Sequence, residues 1–161
     1  MTRLRRLLHH WRSSKRQGCK LFPANALDRF QSIIEEGTHR HRAQLKLAIE
    51  VAMPARAILS NASARSRACT ILELHRTVDE TECSHVLIYI NLADRKVECV
   101  ADAAVTQALT AEQWNHLCRH ITNGFSSGDP CNGIENALKQ FNTFMERALP
   151  EIIVPVQVVR P

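Results

Sequence analysis

Five consecutive apolar, β-favouring residues, Val86-Leu87-Ile88-Tyr89-Ile90, constrain this chain more than any other feature. A strand with one wet face alternates apolar and polar side chains, whereas a run that is apolar throughout must be covered on both faces. Ala93-Asp94-Arg95 follows as a tight turn into Lys96–Asp102, so the two segments read as a β-hairpin whose first strand is central. Something must then lie on each side of that strand.

The rest of the chain supplies those layers. Gln44 to Met53 alternates, with Leu45, Leu47, Ile49, Val51 and Met53 on one side, and Pro54 closes it as a strand. From Pro23 a helical pattern runs through Leu27, Phe30, Ile33 and Ile34 to Gly37, and residues 56–77 form another helix. Thr110 is placed to cap a helix, with Gln113 completing a capping box, and Trp114, Leu117, Cys118, Ile121 and Phe125 form its stripe. Gly124 marks the end of that helix. Asp129-Pro130 opens a last helix whose stripe is Ile134, Ala137, Leu138, Phe141, Met145 and Ala148, stopped by Pro150. The tail 152–159 is β-prone, and Pro155 confines it to an edge. The fold class is therefore α/β, with α+β character: a mixed sheet of about three to four strands with helices packed on it, in the order α-α-β-α-β-β-α-α.

Charge divides the chain. Residues 1–20 carry seven Lys and Arg and no acid, so the overall +5 leaves −2 for the remainder. A nucleic-acid binder carries its basic stripe on the folded body, and that class is not expected. Leu4, Leu7, Leu8 and Trp11 recur at helical spacing, making residues 1–20 a basic amphipathic segment. Arg and His interrupt its apolar residues, so it does not read as a signal peptide. Six cysteines without a Cys-x-x-Cys pair read as reduced thiols, and the expected location is cytoplasmic, peripheral to the membrane. A monomer or weak oligomer is expected.

The hairpin run Val86-Leu87-Ile88-Tyr89-Ile90…Asp94-Arg95-Lys96-Val97-Glu98 resembles the TPM domain family, named for a thylakoid lumen protein, a photosystem II repair protein and a nematode receptor modulator. The likeness extends over His39–Val51, Trp114, Phe125, Gly128, Gly133-Ile134, Ala137-Leu138 and Pro150. It implies a TPM-like domain over residues 21–150, between the basic segment and a tail at 151–161. Family members carry glycines around a groove where metal binding or phosphatase activity is placed for some relatives. At the matching positions this chain has Arg42-Ala43, Ser84-His85 and Asp102 or Ala103.

Two functional expectations follow. One is an interaction or accessory module without a catalytic motif, in which Arg3, Leu4, Leu7, Leu8 and Trp11 contact a membrane surface or a membrane-protein partner. The other, implied by the resemblance, is a weak divalent-metal-dependent phosphomonoesterase. Asp79, Glu82 and Asp102 would then hold calcium or magnesium, hard cations that need several oxygens converging on one point. Asp94 reads as a turn residue. Gly124-Phe125-Ser126-Ser127-Gly128 matches a hydrolase nucleophile pattern but follows a helix instead of a strand, which leaves Ser126 in a loop. His116 and His120 share one helix face without a third ligand, and read as solvated.

Overall fold

The computed structural model describes residues 20–75 and 84–150. Among these, α1 (Ala24–Thr38) leads into β1 (Ala43–Glu50), followed by α2 (Ala55–Leu59) and α3 (Ala64–Leu74). The hairpin comprises β2 (Ser84–Asn91) and β3 (Lys96–Ala101), and α4 (Ala103–Ala108), α5 (Ala111–Ser127) and α6 (Pro130–Ala148) complete the body. The strands form one mixed sheet in the order β1-β2-β3. β1 runs parallel to β2 from Ala43↔Ser84 to Glu50↔Asn91, and β3 runs antiparallel to β2 from Val86↔Ala101 to Asn91↔Lys96.

β2 is the centre, as its unbroken apolar run requires. Its alternate side chains serve two different cores. Val86, Ile88 and Ile90 enter the larger one with Phe30, Leu117, Ile121, Ile134, Leu138 and Phe141 from α1, α5 and α6. Leu87 and Tyr89 enter the smaller one with Ile58, Ala68 and Leu72 from α2 and α3. Helices thus cover both faces. The sheet is mixed because α2 and α3 carry the chain back from the end of β1 to the start of β2.

Local chemistry sets the element ends. Thr110 Oγ1 accepts from Gln113 N at 3.2 Å and Gln113 Oε1 accepts from Thr110 N at 2.8 Å, closing the capping box. Asp129 Oδ1 accepts from Asn132 N at 3.1 Å, with Pro130 as the first helical residue of α6.

Four details depart from the sequence reading. The helix expected over 56–77 is two helices: Asn61 adopts φ 59°, and Ser63 starts α3 by accepting from Ser66 N at 3.0 Å. β1 ends at Glu50, short of Met53. Gly124 lies inside α5, and Gly128, at φ 84°, makes the left-handed C-terminal turn. The short α4, whose sequence AAVTQA has no periodic stripe, was not foreseen. The β-prone tail lies outside the described residues; the last of these, Pro150, makes an antiparallel bridge with His41.

Candidate functional site

At the end of the sheet where β1 and β2 start and β3 ends, Asp102 follows β3 directly. Its Oδ2 accepts from the backbone N–H of His85 at 2.9 Å and lies 3.3 Å from His85 Nδ1. His85 is buried, so its ring is fixed by that carboxylate instead of being free to rotate in solvent. Asp102 is the member of the expected cation set that the structure describes. Asp79 and Glu82 lie outside the described residues, as do Arg3, Leu4, Leu7, Leu8 and Trp11. Among the described residues no three of His, Cys, Asp and Glu converge on one point. A divalent cation needs several oxygens, and the described residues do not supply them.

His41 belongs to the same end. It is buried, and its Nε2 lies 3.1 Å from Asn142 Oδ1, while Asn142 Nδ2 donates to the Ile33 carbonyl at 2.8 Å. An amide oxygen can only accept, so Nε2 carries the proton and Nδ1 is left as a buried acceptor with no partner in the described structure. Gly37 makes room for this arrangement, since a Cβ there would stand 2.4 Å from Asn142 Oδ1. These three residues tie α1, the start of β1 and α6 together.

The opposite end of the sheet, beyond the carboxyl ends of β1 and β2, is where open α/β sheets usually receive ligands. On the α5 side it holds a cavity of about 540 Å³. Asn91, Arg95 and Lys96 contribute from the hairpin, and Thr122, Phe125 and Ser126 from α5; its lining residues include two cations and no carboxylate. Thr122 Oγ1 and Ser126 Oγ donate back to helix carbonyls, at 3.0 Å to Cys118 O and 2.9 Å to Thr122 O. Ser126, in the hydrolase-like pattern, therefore closes the last turn of α5 and has a helix, not a strand, before it. Arg95 sits at φ 52° in the hairpin loop, with Asn91 Oδ1 accepting from Asp94 N at 2.8 Å.

On the other face a polar network joins β1, β2 and α3. Arg67 forks onto Glu50 at 2.8 and 3.2 Å, Tyr89 OH donates to Glu50 Oε2 at 2.6 Å, and Asn91 Nδ2 donates to Tyr89 OH at 3.0 Å. Burial, followed by the bond to Glu50, pushes the Tyr89 phenol well above its ordinary value. A second cavity, about 610 Å³, lies beside β1 between α1 and α3, lined by Leu27, Ile34, Leu47, Ile49 and Ile71 among others.

The two helical histidines are less solvated than expected. Their rings meet edge to face at 4.6 Å, His116 also packs near Phe144, and its Nδ1 is buried without a partner in the described structure. Burial first, then the neighbouring His116, lowers the pKa of His120. No third ligand joins them among the described residues.

The model of the TPM domain matches residues 23–144, which spans the sheet and nearly all of its helices. The chain belongs to the TPM domain family. Its TPM domain is similar in fold to the BA42 protein of the psychrophilic bacterium Bizionia argentinensis, solved by NMR, with a TM-score of 0.66 at 13% identity. That likeness covers 80% of this chain and 84% of BA42. No curated protein matches the chain significantly. Among the described residues of this TPM domain, no helix is long and apolar enough to cross a membrane.

Proposed function

We propose that this TPM domain protein is an interaction or accessory module, acting at a membrane surface or on a membrane-protein partner through Arg3, Leu4, Leu7, Leu8 and Trp11. The observation that carries this reading is the use made of Asp102. Its Oδ2 orders the start of β2 through the backbone and ring of His85, so the carboxylate on which cation chemistry would depend has a structural task. The basic segment adds the attraction: each Lys or Arg near an anionic bilayer contributes about 1 kcal/mol, and Leu and Trp insert shallowly.

Co-sedimentation with vesicles containing phosphatidylserine tests it. Deleting residues 1–18 should abolish binding while the circular dichroism of the body stays unchanged. Equal binding by the full and shortened chains would remove the proposal; retained pull-down of a membrane protein without vesicle binding would assign the segment to a protein partner.

A second reading, a weak metal-dependent phosphomonoesterase, rests on one placement. Asp102 stands against His85, near the start of β2, and Glu82 is only three residues before His85 in the chain. Asp102 with Asp79 or Glu82 would hold calcium or magnesium, which would polarise a phosphoryl group. Titration with either ion, followed by amide NMR, should move Asp79, Glu82 and Asp102 together on this reading and leave them still on the first.

A further inference from the structure

Cys99 on β3 and Cys118 on α5 face each other across the sheet–helix boundary, with their sulfurs 3.8 Å apart. They are far apart in sequence, and each is half-buried. Both are next to the basic cavity: Val97, two residues before Cys99 on the same side of β3, lines it, and so does Thr122, one turn after Cys118. Thr122 Oγ1 donates to the Cys118 carbonyl at 3.0 Å, which couples that turn of α5 to the cavity wall.

We propose that Cys99 and Cys118 form an oxidation-sensitive dithiol, which a hydroperoxide converts into an intramolecular disulfide that clamps β3 to α5 beside the cavity. The direction of attack follows from the surroundings. The contact with Cys99 lowers the Cys118 thiol, whereas the same contact and burial push that of Cys99 up. Cys118 is therefore the nucleophile.

Its thiolate attacks one oxygen of hydrogen peroxide; the O–O bond breaks, the departing hydroxide leaves as water after protonation, and Cys118 becomes a sulfenic acid. The Cys99 sulfur then attacks the Cys118 sulfur, its proton going to the departing hydroxide. An S–S bond forms, an S–O bond breaks and a second water leaves. Two thiols lose two electrons, and one peroxide gains them.

Closure needs the sulfurs to approach from 3.8 Å to about 2.05 Å, a movement within the reach of side-chain rotation and a small helix shift. The other described thiols are placed elsewhere. Cys69 is exposed on α3, on the opposite face of the sheet, and Cys131 on α6 donates to the Leu21 carbonyl at 3.3 Å.

Treating the reduced full-length chain with equimolar hydrogen peroxide, blocking with iodoacetamide and digesting for mass spectrometry tests the step. Before blocking, the expected product is a monomer lighter by about 2 Da; after it, the Cys99 and Cys118 peptides are joined and released by dithiothreitol. In an intact, undigested portion of the oxidised chain, the amide signals of Val97 and Thr122 should shift and that of Ala68 should not. Recovery of Cys99 and Cys118 singly alkylated, or joined to Cys19, Cys69, Cys83 or Cys131, would overturn the proposal. So would a joined pair that leaves Val97 and Thr122 unmoved, because the clamp would then not reach the cavity. Cys69→Ser should behave as the parent chain does, and Cys118→Ser should not form the bond.

Discussion

Tyr89 is the chain's sole tyrosine, and it carries its hydroxyl into the interior, donating to Glu50 and accepting from Asn91. Burial opposes ionising it, and the phenolate would also stand beside the Glu50 carboxylate. The folded pKa is thus raised above the unfolded value of 10.0. A raised acid contributes stability that is fully present below the unfolded pKa and is lost as pH rises past it. The free energy of unfolding should fall by about 1.4 kcal/mol per pH unit above pH 10 on account of this group. Absorbance at 295 nm reads the tyrosinate directly. It should stay absent at pH 11 while the chain is folded and rise together with the loss of circular dichroism; a smooth rise near pH 10 in folded protein would contradict the network. Tyr89→Phe should lose the alkaline slope. None of this was legible in the sequence, where Tyr89 is simply one of five apolar residues. Its partners Glu50 and Arg67 are brought to it by the parallel register, and nothing local announces a register. Thr110 with Gln113 and Asp129 with Pro130 were legible for the opposite reason, because a cap is made by residues within three positions of each other.

Between elements, α5 and α6 meet glycine to glycine, at Gly124 and Gly133. A Cβ on Gly124 would stand 2.7 Å from the Gly133 Cα and 2.9 Å from the Asp129 carbonyl oxygen, both backbone atoms. A flexible side chain could give way there; two helix backbones cannot without separating. Alanine favours a helix over glycine by about 1 kcal/mol, yet Gly124→Ala should still destabilise the protein by about 1–3 kcal/mol through overpacking. Gly128 is the contrasting case. It has open space around it, and only its φ of 84° selects glycine, a conformation asparagine also adopts. Gly128→Asn should therefore cost less than about 1 kcal/mol in urea unfolding. The reverse order would show that the helices are not held at glycine distance. Sequence periodicity found both helices and their buried stripes, but placed the helix end at Gly124. A glycine in a helical pattern reads as a terminus unless the neighbour it makes room for is known, and that neighbour, Gly133, comes from the next helix. The same blindness to partners hid the pairing of Asp102 with His85.

At the scale of the molecule, the two cores described lie on opposite faces of the sheet, and β2 supplies fully buried side chains to both. Its side chains are buried on both faces and its edges are paired with β1 and β3. An amide in such a strand exchanges with solvent only when most of the structure opens, whereas edge strands open by local fraying. Native-state hydrogen exchange should consequently rank Val86–Ile90 slowest, at a free energy near that of global unfolding. β1, whose burial diminishes after Leu45, should exchange faster from Leu47 to Glu50, beside the 610 Å³ cavity. Equal protection along β1 and β2 would mean that the β1 edge is covered in solution, which would make the cavity beside it an occupied surface. The central placement of β2 was legible because covering an apolar run on both faces is a requirement of burial, and few topologies meet it. Sheet order and the parallel sense of β1 were not, since alternation along β1 says which face is buried and nothing about the strand beside it. What decides them is the length of α2 and α3 between β1 and β2: an antiparallel neighbour can be reached by a short turn, but the return to the same end of the sheet takes a crossover of that size.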